Sequence, residues 1–283
     1  MNKRFLTGLI VGILSLLAVL LGGIWLAAVV GVLVVLLSRE YNEILKHKGF
    51  LPSFKIMVIS SLLFGIVAYN RAFEFVPLVL IITVFSSLMW VLFRGKQPYI
   101  ANVATTIFGA LYCGWFPIHL LMLRHVGETS SGSGIQYPIG AAFCVIMLFA
   151  VSVTDIFCYF IGCRFGKHKL APVISPNKTI EGSIGGTVMC LIVTVILGML
   201  LGLAWYHALI LGILIAAFAQ IGDLCESMIK RDAGVKDSSN ILPGHGGVMD
   251  RVDSYLLTFV VLYYYAQYFV LSNNFTDLFR GMF

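Results

Sequence analysis

Apolar runs of roughly the length a helix needs to cross a hydrocarbon layer alternate with short polar connections along almost the whole chain. They fall near residues 5–21, 24–40, 54–70, 75–93, 99–123, 137–162, 183–203, 205–229 and 252–271. This pattern predicts an all-α fold, a polytopic membrane helical bundle of about nine transmembrane helices. The first two runs are short. Gly22-Gly23 between them reads either as a tight turn between two helices or as a weak point in one long tilted helix. No Ser/Gly linker and no long polar stretch divides the pattern, so a single integral membrane domain over 1–283 is expected. Its first part, 1–135, reads as membrane spans alone, and 136–283 carries the spans and loops with candidate chemistry. The stretch from Phe5 to Leu37 continues almost unbroken without a small-residue cleavage site and does not read as a cleavable signal.

Composition agrees with a membrane protein: 59% of residues are hydrophobic and 11% charged, about half the charge of an ordinary soluble domain. With nine crossings, Lys3, Arg4, Arg39, Lys46, Lys48, Lys55, Arg94, Lys96, Arg164, Lys167, Lys169, Lys178, Lys230, Arg231, Lys236 and Arg251 fall on one side, leaving Arg71, Arg124 and Arg280 on the other. The positive-inside rule then makes the N-terminus cytoplasmic and places the C-terminus outside. The net charge of +6 reports this orientation before any affinity, and no nucleic-acid partner is expected. Cys113, Cys144, Cys158, Cys163, Cys190 and Cys225 lie in or beside apolar runs without a C-x-x-C pair. They read as buried small hydrophobes rather than as disulfides or zinc ligands.

Carboxylates within spans cost at least about 3 kcal/mol near the bilayer centre and are functional by default. Asp155 lies toward the inner end of the sixth run, Asp223 and Glu226 lie in the last turns of the eighth, and Asp250 and Asp253 open the ninth. All are expected in the cytoplasmic third of the membrane.

Three segments on that side carry candidate chemistry. In the first, Ser175-Pro176-Asn177-Lys178-Thr179 reads as a turn leading into a helix. Its exposed amides, with Lys178 and Thr179, suit phosphate oxygens, and they equally suit a plain capped helix start flanked by lysines. In the second, Asp223, Glu226 and Ser227 share roughly one helix face ahead of Lys230 and Arg231. Asp250 and Asp253 add hard oxygen ligands of the kind magnesium takes, the competing reading being a structural polar knot. The third runs from Lys236 to Asp253. There Pro243-Gly244-His245-Gly246-Gly247 must bend tightly, glycine giving close approach and positive φ, with His245 suited to binding or positioning. Carboxylates that suit magnesium beside a fork of Lys and Arg are the equipment of phosphoryl or nucleotidyl transfer, and the lipid setting suggests a phospholipid acceptor.

Ser227-x-Ile229-Lys230-Arg231, then Lys236-Asp237, then Leu242-Pro243-x-His245-Gly246-Gly247-Val248-x-Asp250-Arg251-Val252-Asp253 resembles the signature of phosphatidate cytidylyltransferases. Phe165 to Pro172 and Ser175 to Gly182 are similar to that family as well, whereas Ile156 and Cys158 stand beside Asp155 where smaller residues are expected. The resemblance implies transfer of CMP from CTP to phosphatidate, giving CDP-diacylglycerol and pyrophosphate, with Mg2+ in a centre of up to two cations. It assigns metal binding to Asp223 and Asp250. Asp253, Glu226 and Asp155 are further ligand candidates. Lys178, Lys230, Arg231, Lys236 and Arg251 are expected to clamp phosphates, with Ser175, Asn177, Thr179, Ser227, His245, Gly246 and Gly247 around the substrates. A homodimer among membrane lipids, in a bacterial inner membrane with the active site facing the cytoplasm, completes the expectation. The competing readings are a CTP-dependent polyprenol or phytol kinase and, from another class, an ion-coupled transporter.

Overall fold

A computed structural model describes residues 3–127, 139–239, 241 and 246–270. It is mainly helical: α1 (Lys3–Leu21), α2 (Gly23–His47), α3 (Phe54–Tyr69), α4 (Val76–Arg94), α5 (Tyr99–Arg124), α6 (Ile139–Phe165), α7 (Ile180–Leu200), α8 (Trp205–Asp232) and α9 (Met249–Tyr265). A helix accompanies each of the nine apolar runs. Among the described residues, six stretches are long and apolar enough to cross a membrane: α2, Phe73–Arg94, α5, α6, α7 and α8. Ile10–Leu21 and Phe54–Tyr69 are shorter apolar helices. The first pair of runs forms two helices, broken where Gly22 and Gly23 take φ of 63° and 49°, a region costly for any residue with a Cβ. One expectation needs correcting. The segment before α7 is not a simple turn but an antiparallel hairpin of β1 (Lys169–Ala171) and β2 (Ser175–Thr179), so the fold is not purely α.

The chain divides into two compact units that interleave in sequence: Met1–Leu121 with Ile229–Val252, and Met122–Met228 with Asp253–Phe283. The polar segment from Lys230 to Arg251 therefore groups with the N-terminal helices.

In the first unit, Leu26, Leu37, Tyr41, Ile44, Met57 and Phe64 fill the core. Gly109 leaves room for Met57 and Tyr41, since a Cβ there would lie 2.7 Å from both side chains. The link between α2 and α3 is pinned by α5: Leu51 N–H donates to Asn102 Oδ1 (2.7 Å) and Ser53 N–H to Thr106 Oγ1 (3.0 Å). Lys48, at the end of α2, donates to the Asp232 carbonyl (2.8 Å) and pairs with its carboxylate (3.1 Å). A lysine there answers the orphan carbonyls and negative end of α8.

In the second unit, small residues bring helix backbones together. The buried face of α7 is Gly182, Gly186, Cys190, Thr194 and Gly198, one residue per turn. A Cβ at Gly182 would lie 2.5 Å from the Cys158 carbonyl, and one at Gly186 would lie 2.8 Å from the Thr154 carbonyl and strike Cys158 Sγ. Glycine is what permits α6 and α7 to cross this closely. Cys158 packs into the space that Gly186 leaves, while Ile156 points away and is exposed, so neither obstructs Asp155. The cysteines are all free. Cys113, Cys144 and Cys190 are buried as expected, but Cys163 is exposed, and Cys158 and Cys225 are half-buried.

Candidate functional site

Four acidic residues from three helices gather in the second unit. Asp253 of α9 lies within electrostatic reach of Asp223 and Glu226 of α8 and of Asp155 of α6. Gly222 makes the α8–α9 approach possible, because a Cβ there would come within 2.5 Å of the Asp253 carbonyl. Asp155 Oδ1 accepts from Ser254 Oγ at 3.3 Å, and Asp253 Oδ1 accepts from the Ser254 amide at 2.7 Å. Glu226 is fully buried. Lys178 answers this charge, its Nζ lying 2.7 Å from Asp223 Oδ2, and Ser227 Oγ donates to Asp223 Oδ1 at 3.5 Å. The sequence placed Asp223 and Ser227 on one face, and the structure brings them together.

Lys178 reaches Asp223 from the end of β2. Thr179, next in sequence, is the N-cap of α7 and accepts from Gly182 N–H at 3.2 Å, so its oxygen serves the capped helix start weighed above. Glu181 folds back over the hairpin entrance, accepting from the Lys167 and His168 amides (3.0 and 3.2 Å) and contacting His168 Nδ1 (2.6 Å). Ser175 is half-buried and Asn177 exposed on the same strand. Beside the acids, Ser183 Oγ donates to Gln220 Oε1 (2.5 Å) and Gln220 Nε2 to Thr187 Oγ1 (3.1 Å), a polar ladder between α7 and α8 that sequence reasoning did not single out.

The first unit builds a different arrangement around the 230–251 segment. Asp250 Oδ1 accepts from Lys230 Nζ at 2.6 Å, while Oδ2 accepts from Ser238 N–H (3.0 Å), Ser238 Oγ (2.9 Å) and Gly247 N–H (2.9 Å). Asp250 precedes the apolar stretch of α9. Its burial acts to raise the carboxyl pKa, but the Lys230 ammonium and the two amides outweigh that and hold it down at about 2. Gly246 takes the positive φ expected of the bend, 80°. Gly247 leaves room for the protein's own side chains: a Cβ there would strike Ser238 Oγ and lie 2.8 Å from Glu40 Oε2. Arg231 Nη1 donates to the Val235 carbonyl (3.3 Å), and Arg231, Lys236 and Arg251 are exposed. His245, with Pro243 and Gly244, lies outside the described residues, as do residues 271–283.

Glu40 is the functional candidate that sequence reasoning missed. It sits on α2, is almost completely buried, and accepts from Ser238 Oγ (3.1 Å), Ser239 Oγ (2.5 Å), Val248 N–H (2.8 Å) and Met249 N–H (2.7 Å). The signal was present: an acid at the inner edge of an apolar run, the same signal that singled out Asp155. It was lost among Arg39, Glu43, Lys46 and Lys48, which read as an ordinary cytoplasmic flank.

Among the described residues, no three Asp, Glu, His or Cys side chains already stand as a closed ligand set for a metal. The donor chemistry nevertheless suits a hard divalent ion, because carboxylates crowded away from water call for a cation.

Known proteins share much of this sequence. A phosphatidate cytidylyltransferase of Synechocystis is 32% identical over 292 residues, covering 94% of this chain and 96% of that protein. Chloroplastic phosphatidate cytidylyltransferase 5 of Arabidopsis thaliana is 33% identical, covering 94% of this chain and 72% of its own length. The phosphatidate cytidylyltransferase of Bacillus subtilis is 39% identical over 162 residues, 56% of each chain. Residues 2–269, nearly the whole sequence, match the pattern of one family, and the chain belongs to it: the cytidylyltransferase family.

Proposed function

We propose that this protein is a phosphatidate cytidylyltransferase that moves CMP from CTP to phosphatidate. The observation that carries the reading is the 227–253 signature, because its charged residues are built into defined hydrogen-bonded positions: Asp250 is held by Lys230, Ser238 and Gly247, and Asp223 is held by Lys178 and Ser227. A phosphate oxygen of phosphatidate attacks the α-phosphorus of CTP in line. The new O–P bond forms as the bond from that phosphorus to the oxygen bridging to the β-phosphorus breaks, and pyrophosphate leaves. The attacking phosphate is already ionised at neutral pH, so no general base is required.

Asp223, with Asp155, Glu226 and Asp253 beside it, and Asp250 are the residues that would hold magnesium, in one or two ions. Bound there, magnesium supplies neutralisation of the charge that keeps two anionic substrates apart. Lys178, Lys230, Arg231, Lys236 and Arg251 hold phosphates, arginine offering the two-pronged grip. Lys178 and Lys230 now pair with Asp223 and Asp250, so each lysine is exchangeable between its aspartate and a substrate phosphate. Ser175, Asn177, Thr179, Ser227, His245, Gly246 and Gly247 complete the proposed substrate surroundings. Nine crossings with a cytoplasmic N-terminus, a single integral domain, a homodimer and a bacterial inner-membrane location with the site facing the cytoplasm belong to the same proposal, supported by the one-sided basic residues and the family resemblance.

Purified protein given CTP labelled in the cytidine, magnesium and phosphatidate vesicles tests it. The expected product is a lipid carrying the cytidine. Label from the γ-phosphate in an alcohol lipid would instead identify a kinase, and no lipid product would end the reading.

A further inference from the structure

The geometry points to Glu40 as a positioning residue that ties Ser238 and Ser239 to Val248 and Met249 and, through Ser238, orients Asp250 for the reaction. Two carboxylates, one from α2 and one from the first turn of α9, each hold residues of both stretches, 238–239 and 247–249. Glu40 has about four acceptor sites on its two oxygens, and four donors fill them: the hydroxyls of Ser238 and Ser239 on the incoming side, the amides of Val248 and Met249 on the outgoing side. The last two amides open α9, so Glu40 also occupies the positive end of that helix, where an anion is stabilised. A substrate phosphate does not find that helix terminus open.

Ser238 connects the two acids. Its hydroxyl has one proton and lies 3.1 Å from Glu40 Oε2 and 2.9 Å from Asp250 Oδ2, while its amide donates to the same Asp250 oxygen at 3.0 Å. Asp250 Oδ2 is thereby committed to the protein, with Gly247 N–H as a further donor. Oδ1, which accepts from the exchangeable Lys230 ammonium, is the oxygen turned toward exchange with a cation. Glu40 touches neither substrate nor metal in this scheme. It fixes which oxygen of Asp250 is offered.

Glutamine at position 40 keeps the shape but presents an amide to backbone N–H donors, so one grip is lost on the outgoing side. The test uses the full-length protein in detergent, comparing wild type with Glu40→Gln, Glu40→Asp and Ser238→Ala. Limited trypsin cleavage after Lys236 reads the segment, cleavage after exposed Lys167 serves as an internal control, and the magnesium concentration for half-maximal activity reads Asp250. In Glu40→Gln, cleavage after Lys236 is expected to rise about tenfold with the Lys167 rate unchanged, and the half-activating magnesium concentration to rise about tenfold. Glu40→Asp is expected between this variant and wild type. Wild-type values for both readings, or activity that falls only in proportion to folded protein, would overturn the inference. Should Glu40→Gln not fold, Ser238→Ala decides, since it leaves the other three donors to Glu40: a smaller shift in the magnesium reading supports the link, and no shift removes it. The magnesium reading rests on the proposed reaction. Cleavage after Lys236 judges Glu40 even if wild-type protein makes no cytidine-bearing lipid.

Discussion

The two units hold their acids in opposite ways. In the first, Glu40 and Asp250 are surrounded by donors, sharing the Ser238 hydroxyl between them, and what they bind is the protein's own backbone, hydroxyls and the Lys230 ammonium. In the second, Asp253 lies within electrostatic reach of Asp155, Asp223 and Glu226, and Lys178 brings positive charge to Asp223. A carboxylate saturated by donors stiffens a segment, whereas carboxylates that repel one another hold free energy that a bound cation or a proton releases. The first arrangement is built for shape and the second for charge. Removing an acid therefore has different consequences in the two places, and that difference is open to measurement.

The largest effect is expected from Asp223→Asn and Asp250→Asn on turnover. Each should lower CTP-dependent lipid labelling about a thousandfold or more while leaving inserted, monodisperse protein, as when a group that stabilises transition-state charge is lost. Substantial residual turnover in either variant would remove its proposed metal role. Next is Gly222→Ala. A methyl group here meets the Asp253 backbone carbonyl at 2.5 Å, so α8 and α9 must separate and the four acids with them. A displacement near 1 Å costs about a hundredfold in rate. Gly31→Ala on α2, with nothing within 4 Å of its Cβ, is the matched control and should be nearly neutral in the same labelling assay.

Stability separates the units more sharply than rate does. Asp250→Asn loses the charge that Lys230 and the donors of Ser238 and Gly247 face, leaving partners unsatisfied at about 1–3 kcal/mol. Asp223→Asn removes one of several like charges and should leave the thermal midpoint in detergent unchanged or raised. Equal losses in the two variants would erase the proposed distinction.

The sequence carried the apolar runs and singled out Asp155, Asp223, Glu226, Asp250 and Asp253, because helical periodicity and the cost of buried charge are local properties; it left the join at Gly22-Gly23 open and did not separate Asp250 from the other four acids. It did not carry the partners. Nothing in the spacing shows that Glu40, more than two hundred residues earlier, lies beside Gly247. The hairpin was hidden for a related reason: β1 and β2 are three and five residues long, too short for a period-two pattern to register. The grouping of 230–251 with the N-terminal helices is likewise accompanied by hydrogen bonds to Glu40 of α2, which no spacing rule anticipates.

The smallest expected effect concerns the two lysines. Lys230 Nζ and Asp250 Oδ1 are 2.6 Å apart with both side chains 11% exposed, whereas Lys178 and Asp223 are 2.7 Å apart at 26% and 30%. A half-exposed pair contributes about 1 kcal/mol or less to stability, so Lys178→Ala should scarcely change the thermal midpoint. Its effect belongs in binding: losing one phosphate contact should raise the Michaelis constant for CTP or phosphatidate about tenfold, equivalent to about 1.4 kcal/mol. Lys230→Ala removes a more buried partner of Asp250 and should lower the midpoint as well as weaken binding. If Lys178→Ala leaves both Michaelis constants unchanged, the lysine is only a counterion for Asp223. If Lys230→Ala alters binding without altering stability, Asp250 is not the structural anchor that its donors imply, and the contrast between a shape-holding and a charge-holding unit fails at its most direct comparison.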